Sequence, residues 1–430
     1  MNAEIEPFNI RVSDDFLADL QTRLGYARYP HELNLPKGEE WSYGTPVSEV
    51  KDLVEYWKSG FDWRTWEAEL NAKLPQFTTL VDTGDSVHGS MKIHFAHRKS
   101  SRPNAIPLLF VHGWPGHFAE VMKMADELVE PADPKHPAFH LVAPSIPGYG
   151  FSEPPSAPGI GVKRTAAVFD HLMRRLGYGR YLAQGGDWGA SVVRSLAIWH
   201  QDSCKGVLSN MLVVDKSLVL WHPMTMLYMD KTLILRHPII MLKLALGYLG
   251  APGGYSSVEM DSLRKTARHQ EVGLAYEIIQ KQRPQTLGIA LTDSPVGLLA
   301  WILEKLHSWV ADYPWTKDEI LLFVMLNWIP GPAPSLRYYK ENLEPSCEGE
   351  NIQTVLTRWS PTPLGVSIFK SDIWQFPDDF GSMVQPLKYV KRHDRGGHFA
   401  AWEAPDLLLD DIREFTKIIV EKDSSIIARE

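Results

Sequence analysis

The stretch Tyr181-Leu182-Ala183-Gln184-Gly185-Gly186-Asp187-Trp188-Gly189-Ala190 decides how this chain is read. A short strand pattern, 181–184, runs into two glycines. A third glycine stands two residues after Asp187, and an apolar helical pattern then runs from about Ala190 to His200. A strand that passes into a helix through one residue with small neighbours makes a very tight turn. Such a turn holds the Asp187 side chain up at the start of a helix, where the dipole favours a carboxylate. The plain alternative is that Asp187 only caps the helix. The five-residue pattern leaves these two readings level, and the flanking sequence separates them.

Outward from the turn, the pattern alternates. The runs 106–112 (IPLLFVH) and 139–143 (FHLVA) are near-continuously apolar, and 91–97 (MKIHFAH) is strand-like. Continuous apolar runs of this length predict buried strands of a parallel sheet covered on both faces. Helical spacing over 118–128 and 164–176 lies between them, which predicts an α/β sheet. From about 215 to 345 the strand pattern stops, and the sequence turns rich in Met, Trp, Leu and Pro. Strands return at 364–369 and 387–390, and a helix over 405–421 closes the chain. The first 90 residues carry helical patterns at 14–24, 46–58 and 63–74. The expected organisation is an N-terminal region (1–90) packing on the core, a first core part (91–215), a helical lid (216–345) and a second core part (346–430). A helical insert in such a sheet suits a lid over the strands' C-terminal edge, where open α/β folds bind ligands.

Two further loops carry chemistry. His112-Gly113-Trp114-Pro115-Gly116 follows the strand at 106–111. In α/β hydrolases this loop supplies one amide of an oxyanion hole, and the residue after the nucleophile supplies the other. Trp114 and Trp188 are therefore the expected donors, while His112 is expected only to brace its loop. Late in the chain, Arg395-Gly396-Gly397-His398-Phe399 places a histidine between a strand and the last helix, where this fold keeps its catalytic base. His393 in the same loop ranks behind it. The acid that orients His398 should follow the strand at 364–369, with Asp372, Asp378 and Asp379 as candidates. Spacing does not choose among them. The expected fold is thus an α/β-hydrolase fold: a mostly parallel sheet with flanking helices, a helical lid insertion and an N-terminal extension.

An aspartate at the nucleophile position also speaks about substrate. Attack on an acyl carbon would give an anhydride, whereas attack on a saturated carbon gives an ester that water can clear. Asp187 points to alkyl substrates.

Together the motifs resemble the microsomal-type epoxide hydrolases and their soluble relatives, over nearly the whole chain. The matching residues are Trp63-Arg64 through Pro75-Gln76-Phe77-Thr78 in the N-terminal region, HGWPG at 112–116, PGYGFS at 147–152 and GGDWG at 185–189. LTDSPVGLLAWILEK at 291–305, RYYKEN at 337–342 and RGGHFAAWEAP at 395–405 complete the set. The resemblance implies Asp187 as nucleophile and His398 as base. It implies an acid after a Phe-Pro pattern, here Phe376-Pro377-Asp378-Asp379, which selects Asp379 with Asp378 as its alternate. It also implies two lid tyrosines that protonate the epoxide oxygen: Tyr276 and Tyr339, with Tyr338 expected to pack. The implied activity converts a small-molecule epoxide and water to a vicinal diol, with no cofactor and no metal.

Composition narrows the rest. The 430 residues carry a formal net charge of −8 and no basic block, so nucleic acid is not an expected partner. Two cysteines, Cys204 and Cys347, are too few for a secreted disulfide framework and read as free thiols. Neither a signal peptide nor a membrane span is expected, since the apolar stretch 217–254 is broken by Asp230, Lys231, Arg236 and Lys243. The expected location is cytoplasmic. A homodimer, and detoxification, lipid epoxide metabolism or biosynthesis as physiological settings, are left open. The rival readings are a haloalkane dehalogenase, which shares the Asp nucleophile but needs no acid on its leaving group, and a non-catalytic ligand-binding protein of the same fold.

Overall fold

A computed structural model describes residues 4–214, 235–310, 312–343 and 352–427. The expected lid boundaries at 215/216 and 345/346, the first half of the apolar stretch 217–254, and Cys347 lie outside these residues. Cys204 is a buried free thiol.

Nine strands form one sheet: β1 (Glu6–Phe8), β2 (Gln76–Asp82), β3 (Ser90–Arg98), β4 (Ile106–Val111), β5 (Phe139–Pro144), β6 (Tyr181–Gly185), β7 (Cys204–Ser209), β8 (Leu364–Ile368) and β9 (Leu387–Arg392). Their spatial order is β1-β2-β3-β5-β4-β6-β7-β8-β9. The first three strands are antiparallel, β3 meets β5 antiparallel, and the rest of the sheet is parallel. Every residue of β4, β6 and β8 is buried, as strands covered on both faces must be. The chain leaves β4 for β5 on one side and then crosses to β6 on the other. That reversal opens a crevice at the strands' C-terminal ends. The register pairs Val111 of β4 with Gly185 of β6, so the loops that follow these strands leave the sheet side by side.

Helices Asp14–Gly25, Val47–Ser59 and Trp63–Lys73 match the helical patterns read in the first 90 residues. The pattern at 118–128 instead forms a 3-10 turn, Phe118–Lys123, and a short helix, Ala125–Val129. Over the crevice lie seven helices among the described residues, from Pro238–Tyr248 to Ala333–Leu343. Ser256 and Thr316 start two of them with reciprocal capping boxes to Glu259 and Glu319. The N-terminal region adds β1 and β2 to the sheet and also braces the lid. Trp41 stacks on His307 with ring centroids 3.6 Å apart, the Thr45 hydroxyl donates to the Ala300 carbonyl at 2.8 Å, and Tyr56 donates to Asp318 at 3.0 Å. No single helix among the described residues is long and apolar enough to cross a membrane.

Candidate active site

The turn after β6 is as tight as the sequence predicts. Asp187 has φ 50° and ψ −126°, and it is the sole non-glycine residue with positive φ among those described. Such a conformation costs about 1–3 kcal/mol and persists where the surroundings enforce it. Enforcement here comes from close packing of backbone. A Cβ on Gly189 would sit 2.0 Å from the Val111 carbonyl oxygen, and one on Gly113 would sit 2.2 Å from Asp187 Oδ1. Glycine at both positions lets the β4 loop press against the Asp187 carboxylate. The Trp114 amide then donates to Asp187 Oδ1 at 2.7 Å. Trp188 is the first residue of helix Trp188–Trp199, where an amide has no acceptor within its own helix.

His112 braces this loop. Its Nδ1 lies 2.9 Å from the Gly113 carbonyl, to which it donates, and its Nε2 accepts from the Ile146 amide at 3.2 Å. Burial holds its pKa down to about 4, so it stays neutral.

His398 is buried with its two ring nitrogens facing two carboxylates. Nε2 lies 3.6 Å from Asp187 Oδ2, and Nδ1 lies 2.9 Å from Asp372 Oδ1. Trp309 seats the histidine from the lid side: its carbonyl accepts from the His398 amide at 3.3 Å, and its ring meets the imidazole edge-on at 4.7 Å. Burial alone would lower the imidazole pKa. Hydrogen bonding and charge from Asp187 and Asp372 outweigh it and raise the value to about 10. His393, the lesser candidate, is bound at 2.6 Å to Asp411 and stacked on Phe369.

The acid expected at Asp379 is corrected: the carboxylate on His398 belongs to Asp372. Asp379 accepts from Lys243 and from the Tyr255 hydroxyl, both at 2.7 Å, and so ties the lid to the core. The alternate, Asp378, pairs with Arg392. The reason is local. Asp372 lies in the turn directly after β8, and that turn is stitched to the histidine loop by the Ser371 amide, which donates to the Gly396 carbonyl at 3.0 Å. The Phe-Pro-Asp-Asp segment lies further on, in the 3-10 turn Asp378–Met383, facing helix Pro238–Tyr248.

Tyr276 and Tyr339 come from two lid helices, Ala275–Gln282 and Ala333–Leu343, and their rings meet edge-on at 5.9 Å. Tyr276 stacks on Trp114 at 5.4 Å, and Tyr339 meets Trp188 at 4.9 Å. The Tyr339 side chain is buried, with its hydroxyl towards that of Tyr276. Burial first, and the charge of Asp187 among other causes, raises both phenols well above 10, so both keep their protons. Tyr338 packs, donating to Thr165 at 2.9 Å. A cavity of about 260 Å³ borders Asp187, Trp188, Tyr276 and Tyr339, with Leu212 and Phe376 among its apolar walls. A second cavity of about 20 Å³ borders Asp187, His398 and Glu120. That is room for one water. Glu120, which the sequence reading did not single out, accepts from the His117 amide at 3.0 Å. Burial raises its carboxyl to about 8.

Residues 5–121 match the family model described as epoxide hydrolase N terminus, and residues 106–227 match that of the alpha/beta hydrolase fold. A putative epoxide hydrolase of Stigmatella aurantiaca is 35% identical over 421 residues, which is 95% of this chain and 84% of the relative. Epoxide hydrolase 1 of Sus scrofa is 33% identical over 97% of this chain and 90% of its own length. Among solved structures, the Aspergillus niger epoxide hydrolase superposes with a TM-score of 0.79 at 31% identity, covering 97% of each chain. The juvenile hormone epoxide hydrolase of the silkworm Bombyx mori does so with a TM-score of 0.83 at 27% identity, covering 98% of this chain and 96% of that one.

Proposed function

Since the chain belongs to the epoxide hydrolase family, we propose that it opens an epoxide by forming an ester on Asp187 and clears that ester with water activated by His398. The observation that carries this reading is the Asp187 carboxylate on its strained turn, held by the Trp114 amide and 3.6 Å from an imidazole that a second carboxylate orients.

In the first step an Asp187 oxygen attacks one epoxide carbon, the carbon–oxygen bond breaks, and Tyr276 or Tyr339 gives its proton to the leaving oxygen. Proximity supplies the nucleophile, and the phenol supplies the acid. Ester formation removes one of the two charges that hold the His398 proton. The imidazolium then returns a proton to the tyrosinate and becomes a base. In the second step His398 takes a proton from water as the water oxygen adds to the Asp187 carboxyl carbon. The oxyanion is met by the amides of Trp114 and Trp188. Collapse breaks the bond between the carboxyl carbon and the ester oxygen. The diol leaves with the remaining water proton, and the carboxylate and imidazolium are restored.

The two tyrosines favour an epoxide over an alkyl halide, whose departing halide needs no proton. The apolar walls of the 260 Å³ cavity favour an apolar epoxide. One turnover in ¹⁸O-labelled water tests the scheme. The label is expected in Asp187 and not in the first diol; label appearing directly in that diol overturns the ester. In His398→Gln, the ester is expected to accumulate and to show as an added substrate mass on the intact protein.

A further inference from the structure

Lys305 is a buried cation that ends over an aromatic ring. Its side chain is 3% exposed, on helix Pro295–Ser308. Its ammonium lies 4.7 Å from the centroid of the Tyr276 ring and 5.3 Å from that of Trp301. Glu304 is its carboxylate neighbour, at 2.8 Å and 38% exposed. Lysines commonly bury the stem and send the charge out to water. This one holds its charge in, although burial pushes its pKa below the ordinary value.

The ring beneath it is one of the two placed to act as acid. Tyr276 stacks on Trp114, whose amide holds the nucleophile. Around this phenol the balance is otherwise unfavourable to losing a proton. Burial is the largest cause, the charges of Glu277, Asp187 and Glu304 act the same way, and the Tyr339 hydroxyl opposes them. As the phenol gives its proton to the epoxide oxygen, negative charge spreads into the ring. A cation over the ring face gains attraction in that transition state beyond what it has with the neutral phenol.

We propose that Lys305 is a positioning residue for ring opening, holding a positive charge against the Tyr276 ring so that Tyr276 can release its proton. The proton passes from the Tyr276 hydroxyl to the epoxide oxygen as the bond to Asp187 forms, and Lys305 neither gains nor loses one. The inference rests on the reading of Tyr276 as an acid, so the test separates the two.

The experiment follows the rate of alkyl-enzyme formation with styrene oxide, by intact mass, in the full chain carrying His398→Gln. Lys305→Met is expected to slow this rate about 10- to 30-fold, and Lys305→Arg to recover most of it. In a Tyr276→Phe background, Lys305→Met is expected to change the rate less than about twofold, since coupled residues are non-additive. Equal slowing by Lys305→Met in both backgrounds, or an Arg variant as slow as the Met variant, overturns the proposal and leaves Tyr276 standing. A Tyr276→Phe variant that is not slowed removes the acid and the proposal together. Lys305→Gln repeats the comparison if the Met variant does not fold.

Discussion

Two carboxylates on one imidazole make the charge state of His398 depend on what has happened to Asp187. With both charged, the imidazole pKa stands at about 10. Asparagine at 187 carries no charge, as the ester would not, so Asp187→Asn should lower the His398 pKa below that of the wild type. An NMR titration of the imidazole reads this directly; an unmoved value would mean that Asp187 does not sense His398 across their 3.6 Å. The partner on the other nitrogen is separable in the same way. Asp372→Asn should reduce turnover by a factor on the order of 10³ or more, because the amide no longer fixes the tautomer or balances the imidazolium. Asp379→Ala should leave turnover near wild type and remove about 1–3 kcal/mol of stability, chiefly because the buried Tyr255 hydroxyl loses its acceptor, the pair with Lys243 being partly exposed. Equal losses of activity in both variants would sink the correction from Asp379 to Asp372. The contrast shows what was legible at this scale. Asp187, His398 and the two loops announce themselves by glycines that the turn geometry requires. Asp372 was among the candidates on spacing alone, and a family pattern drew the choice seven residues downstream. Nothing in the sequence says that the turn after β8 is tied to the histidine loop through Ser371 and Gly396.

Strands built on a continuous apolar run were readable, and three strands with interrupted, mixed or very short runs were not. β4, β6 and β8 are buried along their full length, so their apolar runs stand out. β7 (CKGVLS) is interrupted by Lys205 and Gly206, β2 (QFTTLVD) has a mixed burial pattern, and β1 has three residues; none was predicted. β1 pairs with β2 about 70 residues further on and β7 with β8 more than 150 residues further on, and periodicity does not record such pairing. The same holds for the bracing of the lid by the N-terminal region. Trp41, stacked on His307, holds helix Pro295–Ser308, which carries Lys305. Trp41→Ala should therefore speed amide exchange in that helix and lower stability by about 1 kcal/mol or more. Exchange quickening only around residue 41, with the lid helix as protected as before, would show that the stack does not restrain the lid.

Across the whole molecule, buried groups with shifted pKa values pull stability in opposite directions as pH changes. His94, His97, His112 and His117 are held neutral by burial, with values of about 3, 4, 4 and 3. Below the ordinary histidine value of 6.5 the unfolded chain takes up protons that the folded chain refuses, so stability rises with pH from about 4 to 6.5. Glu120 and Glu403 are shifted the other way, chiefly by burial, to about 8. Between 4.5 and about 8 the folded chain keeps protons that the unfolded chain has released, and stability falls. His398, raised to about 10, adds to the fall from 6.5 upward. From 4.5 to 6.5 these four histidines act against the two glutamates; between 6.5 and about 8 only the destabilising groups among those named still change. The melting temperature should accordingly peak near pH 6.5, and the double variant Glu120→Gln, Glu403→Gln should flatten the limb between 6.5 and 8 while leaving the acid limb in place. A melting temperature that keeps climbing from pH 6.5 to 8 in the wild type would mean that the two glutamates are ionised within the fold, and that the small cavity beside Asp187 and His398 is walled by a charge instead of a neutral acid.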